Sequence, residues 1–169
     1  MADVAWNTVG TGRLGRRPVR AEDEAAYAAS RSEPEVARYL SGGEAAAAQG
    51  GEKAAALVPA FAAMWEEPPF YGPWAVEEAS TGRLLGHLGL RKLEELRGRT
   101  ALLYALDPSA HGRRFALEGA RAAVAYGFAL AGLGAGTALA LPQNLRSFEV
   151  SARAGMVRPD GRVEACELQ

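Results

Sequence analysis

The sequence predicts an α/β fold, a mixed twisted central sheet with helices on both faces, and three observations lead there. An alternating run, residues 74–78, is followed by the turn Ser80-Thr81-Gly82 into a second run, 84–90, and the pair reads as a hairpin. Further on, the strand-like run 101–106 leads into a long apolar helical stretch, a short apolar run 137–141 and a second helix, which makes a strand-helix-strand-helix unit. An apolar fraction of 49% over 169 residues supplies a core for one domain spanning residues 1–169.

Residues 13–19 read as a first strand, with Gly15 and Arg16 breaking its apolar character. Residues 21–30 are helical by propensity, and Ser32-Glu33-Pro34-Glu35 predicts a second helix start through a Ser-x-x-Glu capping box with Pro at a tolerated early position. Helix is expected across residues 41–67, where Ser41 and Glu44 repeat that spacing, Gly50-Gly51 interrupts and Pro59 bends or restarts the chain. Within the hairpin, Trp74 and Val76 fall on one face, Ala75 and Glu77 on the other. Asp107-Pro108 ends the strand at 101–106, and residues 113–131 read as one helix on which Arg114, Glu118 and Arg121 form a single charged stripe. Gly132 and Gly134 stop it. Residues 144–153 read as a further helix, and 156–168 as a hairpin around a tight Asp160-Gly161 turn.

A formal net charge of −1 excludes a protein that grips nucleic acid through its overall field. With Cys166 as the single cysteine and two isolated histidines, an internal disulfide is excluded and no metal centre is expected. Residues 1–7 carry no basic-then-apolar leader and no stretch reads as a clear membrane span, so a soluble cytoplasmic protein is expected, without membrane partner.

The chemistry-bearing stretch is His111-Gly112-Arg113-Arg114-Phe115-Ala116, between a strand and the long helix. Unpaired N–H groups of a first helical turn, together with the positive end of the helix dipole, favour an anion there, and a phosphate suits them best. Arg114 either holds such a phosphate or pairs with Glu118 on the helix surface. Asn144 and Ser147 read equally as a helix cap and as a polar pair for a ligand. Glu77 and Glu78 are a solvated strand face or a base acting through water; His87 is taken as packed and Cys166 as structural.

Taken in order, Thr11-Gly12-Arg13-Leu14, Arg17-Pro18, the run from Pro34 to Leu40, the run from Gly82 to His87, the stretch from His111 to Ala116, Asn144-Leu145-Arg146-Ser147, Val150, Ser151 and Gly155-Met156 resemble the GNAT acetyltransferase superfamily, in particular its RimJ/RimL-type branch of ribosomal-protein N-terminal acetyltransferases. The resemblance implies the GNAT fold, acetyl-CoA as cosubstrate and no metal. It also implies transfer of the acetyl group to a primary amine, on a protein N-terminus or a small molecule. His111, Gly112, Arg113, Arg114, Phe115 and Ala116 fall on the family's pyrophosphate motif, with Arg114 where the family carries glycine, so that its side chain either crowds the loop or folds over a phosphate. By the same resemblance the backbone of Tyr104, Ala105 and Leu106 lies along the pantetheine arm and Asn144 orients it. Ser147, or after it Ser151, assists departure of the CoA thiolate. Ala101 and Leu103 replace residues of the branch's Glu-x-Gly-Tyr pattern, so the implied base is missing. Two classes of function stay open: an N-acetyltransferase, and a protein of the same fold that has lost efficient catalysis and binds CoA, a small ligand or a partner. Oligomeric state is open too, a homodimer included.

Overall fold

The computed structural model describes residues 10–40, 42–67, 71–94, 97–157 and 165–168, the last four through their backbone. Strand β1 (Leu14–Pro18) pairs antiparallel with β2 (Pro73–Glu78), β2 with β3 (Leu84–Leu93), and β3 with β4 (Arg99–Leu106). β4 then runs parallel to β5 (Gly136–Leu139), and β5 pairs antiparallel with β6 (Ala165–Leu168). The result is one six-stranded mixed sheet whose strands lie in chain order. Only the parallel step needs a crossover, and α4 (Phe115–Ala129) supplies it.

Side-chain alternation along the strands builds a core on each face. Trp74, Leu88 and Leu102 point to the side covered by α4 and α5 (Leu145–Arg153), where they meet Phe115, Tyr126 and Phe148. There Tyr126 stands edge-on to Trp74, with ring centroids 5.0 Å apart. Ala75 points the other way, into a cluster of Val19, Tyr27, Val58 and Phe61 under α1 (Glu24–Ser32) and α3 (Gly50–Ala63). The helices thus sit on both faces, as expected. Arg16 is accommodated inside this frame: it is 1% exposed, with its guanidinium 5.1 Å above the Trp74 ring.

Several local expectations give way to tertiary contacts. The capping box at Ser32 does not form, because α1 extends to Ser32 and the hydroxyl donates back to the Ala28 carbonyl at 2.8 Å. Helix α2 (Pro34–Ala37) starts instead behind Glu33, with Pro34 in its first turn. Gly50-Gly51 opens α3 rather than interrupting a helix, following a 3₁₀ segment at Glu44–Gln49. Its cause is the approach of α1: a Cβ on Gly50 would lie 2.2 Å from Ser32 Oγ and 2.7 Å from Ser32 N. Pro59 lies inside α3 without ending it. Ser41 and the Asp160-Gly161 turn lie outside the described residues; the second arm of that expected hairpin is β6, paired to β5.

The two adjacent glycines should therefore respond in opposite directions. Gly50→Ala is expected to destabilise by about 1–3 kcal/mol through overpacking against α1. Gly51, around which nothing lies within 4 Å, should tolerate alanine and gain roughly 0.4–1 kcal/mol. Urea unfolding of the two variants measures the difference.

Candidate active site

The parallel ladder between β4 and β5 is two residues long, Ala101↔Thr137 and Leu102↔Ala138. β4 continues on its other edge, paired to β3 as far as Leu106↔Gly86, so from residue 103 onward its β5-facing edge has no partner in β5. The gap beside that unpaired edge is the candidate cleft. Ligands of open α/β sheets bind outside the carboxyl ends of such strands, where successive connections diverge.

One lip of the cleft is the loop from β4 to α4. Asp107 caps a 3₁₀ turn by accepting the Ser109 N–H at 3.0 Å, Gly112 follows with φ +72°, and Arg114 takes a left-handed conformation with φ +63°. The expected helix start at Arg113 is thereby corrected to Phe115, because a left-handed residue cannot join the right-handed helix. Arg113 and Arg114 precede the first turn. The first bond of the helix runs from the Glu118 N–H to the Arg114 carbonyl at 3.1 Å, which leaves the N–H groups of Phe115, Ala116 and Leu117 ahead of the ladder. Around Gly112 a Cβ would meet nothing within 4 Å, so the glycine serves the backbone turn rather than a tight contact.

Charged side chains from the far edge of the sheet brace this loop. Arg113 donates to the Glu78 carboxylate and lies 4.4 Å above the Phe115 ring. Just before β1, Arg13 lies 4.8 Å from the same ring, donates to the Arg113 carbonyl at 3.0 Å and pairs with Glu118 at 2.6 Å. Thr11 donates its hydroxyl proton to Glu118 as well. Against the desolvation of partial burial, the Thr11 and Arg13 hydrogen bonds hold the Glu118 carboxyl below its ordinary range. Glu118 is therefore engaged by Thr11 and Arg13, and the surface pair Arg114–Glu118 does not form; Arg114 is exposed. His111 ties the loop to α2, with Nε2 3.1 Å from the Leu106 carbonyl and Nδ1 3.3 Å from Glu35.

The other lip is the start of α5. Asn144 caps it, accepting the Ser147 N–H at 3.2 Å. Across the cleft the Tyr104 hydroxyl donates to Ser147 Oγ at 3.0 Å. Burial pushes the Tyr104 phenol above its ordinary value, and the bond to Ser147 offsets part of this. Ser151, one turn further along α5, is 2% exposed.

The residues considered as bases are otherwise engaged. Glu77 pairs with Arg17 at 2.7 Å, and the hydrogen bond from Arg113 keeps the Glu78 carboxyl low. Burial lowers His87 to about 3, between Tyr27 stacked at 5.6 Å and Phe61 at 5.0 Å, so it is a neutral packed histidine. The bracing roles of Thr11, Arg13, Glu78 and Glu118, and the Glu35 link, were not apparent from sequence. Their partners lie up to 107 positions away and leave no local pattern. Among the described residues no group of three or more His, Cys, Asp or Glu is placed to hold a metal, and no helix is long and apolar enough to cross a membrane.

A helix start with N–H groups ahead of its ladder thus faces a capped helix start, beyond the point where two parallel strands part. The chain belongs to the GNAT family of acetyltransferases: the Acetyltransferase (GNAT) domain profile matches residues 13–157. Members of this family transfer an acetyl group from acetyl-CoA. No curated protein sequence matches the chain. Among solved structures, an acetyltransferase from Agrobacterium tumefaciens superposes with a TM-score of 0.75 at 21% identity, over 96% of this chain and 94% of that one. A GNAT-family acetyltransferase from Bacillus anthracis gives 0.70 at 21% identity, over 95% and 94%. RimJ from Mycobacterium smegmatis, in complex with CoA-disulfide, gives 0.71 at 19% identity, over 99% and 90%. At such identities they establish the shared fold.

The left-handed Arg114 generates a stability prediction. A non-glycine residue there costs roughly 1–2 kcal/mol, against about 0.5–1 kcal/mol for the extra freedom of an unfolded glycine. Arg114→Gly should therefore raise stability by up to about 1 kcal/mol, read as a higher urea midpoint at unchanged m-value.

Proposed function

We propose that the protein is an acetyl-CoA-dependent N-acetyltransferase of the RimJ/RimL-like branch, acting on a primary α-amine of a peptide, protein N-terminus or small molecule. The observation that carries this reading is the parting of β4 from β5 after Leu102, with the α4 start on one lip and Ser147 on the other. Its donor set suits CoA: free N–H groups and an open glycine turn for the pyrophosphate, and an unpaired strand edge for the amides of the pantetheine arm.

In this reading the backbone of Gly112, Arg113, Phe115 and Ala116 binds the pyrophosphate, and the exposed Arg114 guanidinium folds onto it, while His111 fixes the loop to Leu106. Tyr104, Ala105 and Leu106 present their backbone to the arm, and Asn144 orients it. Acetyl-CoA supplies the acetyl group as a thioester. Ser147 donates a hydrogen bond toward the sulfur as charge develops there; Ser151, being buried, comes second. The chain's main contribution is alignment of amine and thioester, an effect worth on the order of 7–11 kcal/mol.

The acceptor follows from the missing base. An α-amine with a pKa of about 8 is roughly a tenth free base at neutral pH, whereas a lysine amine near 10.4 is so only at a few parts in ten thousand. With Glu77 and Glu78 both bound to arginines, the amine must arrive already neutral.

An acceptor screen with acetyl-CoA and thiol detection tests the function. Peptides with a free α-amine should release CoA at pH 7 and α-blocked lysine peptides should not. With the best acceptor, Ser147→Ala should lower kcat about tenfold while leaving CoA binding within roughly threefold. Faster acetylation of lysine peptides overturns the acceptor class. CoA binding without thiol release from any amine would leave a binding protein instead.

A further inference from the structure

Tyr104 and Ser147 belong to elements that the sheet leaves apart: Tyr104 lies two residues past the last rung between β4 and β5, and Ser147 stands in the first turn of α5. Their hydroxyls meet at 3.0 Å, with both residues half-buried. Ser147 is held on two sides, since its N–H is already satisfied by Asn144 Oδ1 at 3.2 Å. A phenol is a stronger acid than an alcohol, so the phenol is the natural donor of the pair. Ser147 Oγ then accepts one proton from Tyr104 and keeps its own proton for a third group.

We propose that Tyr104 is a positioning residue which, by donating to Ser147 Oγ, fixes the serine hydroxyl as a hydrogen-bond donor to the sulfur of CoA. The inference rests on the cleft being the CoA site. The Tyr104 bond removes one of the two directions in which the serine proton would otherwise point, and a donated hydrogen bond makes the serine hydroxyl a stronger donor in turn. Burial holds the phenol in its protonated form across the working pH range, so the orientation does not lapse as pH rises. When the carbon–sulfur bond breaks, its electron pair goes to sulfur and Ser147 shares its proton with that pair. The proton that finally neutralises the thiolate is the one lost by the acylated amine, and Tyr104 ends as it began.

The test needs no acceptor. Calorimetric affinities of CoA and desulfo-CoA are compared at pH 6.5 and 9.5, on either side of an ordinary thiol pKa of about 8.5. If Ser147 favours the thiolate, CoA should gain on desulfo-CoA as pH rises, by about tenfold at pH 9.5, the scale of a hydrogen bond to a charged group. Charged groups of the loop between β4 and α4 act on both ligands alike and cancel in the ratio.

Ser147→Ala should return the ratio to near one, Tyr104→Phe should cut it to about threefold or less, and the double variant should match Ser147→Ala alone. If Ser147→Ala removes the gain and Tyr104→Phe leaves it intact, Tyr104 has no such role, while the reading of Ser147 survives. A gain that Ser147→Ala does not touch sinks the Ser147 reading itself. Should Tyr104→Phe weaken both ligands equally, or lower the ratio as much in the Ser147→Ala background as in the parent, the phenol acts structurally or on its own and the inference fails.

Discussion

The site depends on where β4 is held and where it is released. On one edge it stays paired with β3 to the end, where Gly86, at φ +131°, lets the backbones approach so closely that a Cβ would lie 2.2 Å from the Ala105 carbonyl oxygen. On the other edge its pairing with β5 stops after two residues. β3 therefore fixes the path of β4, and β5 is free to turn away into α5. Backbone groups that would otherwise close a ladder are left facing the cleft, which any buried or ligand-bound peptide group must satisfy. Tyr104 and Ser147 restore a polar link across that gap.

The loop that follows β4 is held by side chains rather than by its own backbone ladder. Ion pairs with one partner open to solvent add little stability, so Arg13–Glu118 and Arg113–Glu78 matter mainly for geometry. Together with the two guanidinium contacts on Phe115 they surround the turn in which Arg114 is left-handed. Arginine holds a left-handed turn that ordinarily favours glycine, and its guanidinium is left exposed beside the N–H groups that precede the helix ladder.

Much of this was legible in the sequence. The alternation of Trp74, Ala75 and Val76 placed them on opposite faces because a half-buried strand repeats every two residues, and the structure divides them the same way. Asn144 was readable as a cap because a short polar side chain before a helix satisfies its orphan N–H groups. Gly50-Gly51 misled, since local preference reads glycine as a break and the close approach of α1 demands it. Ser32 misled for a related reason: the hydroxyl found the preceding turn of its own helix before it could cap the next. The two-residue ladder and the long-range brace had no local signature, because pairing and charge contacts between distant segments are set by tertiary packing.

The proposed function places CoA compounds in the gap between β4 and β5, with their phosphates at the start of α4. Backbone amide chemical shifts recorded while CoA is titrated into the protein test it most directly. The largest changes are expected at residues 112–117, with further changes at 103–106 and 139–147. Changes confined to residues 90–93 and 99–100, at the opposite end of the sheet, would contradict it.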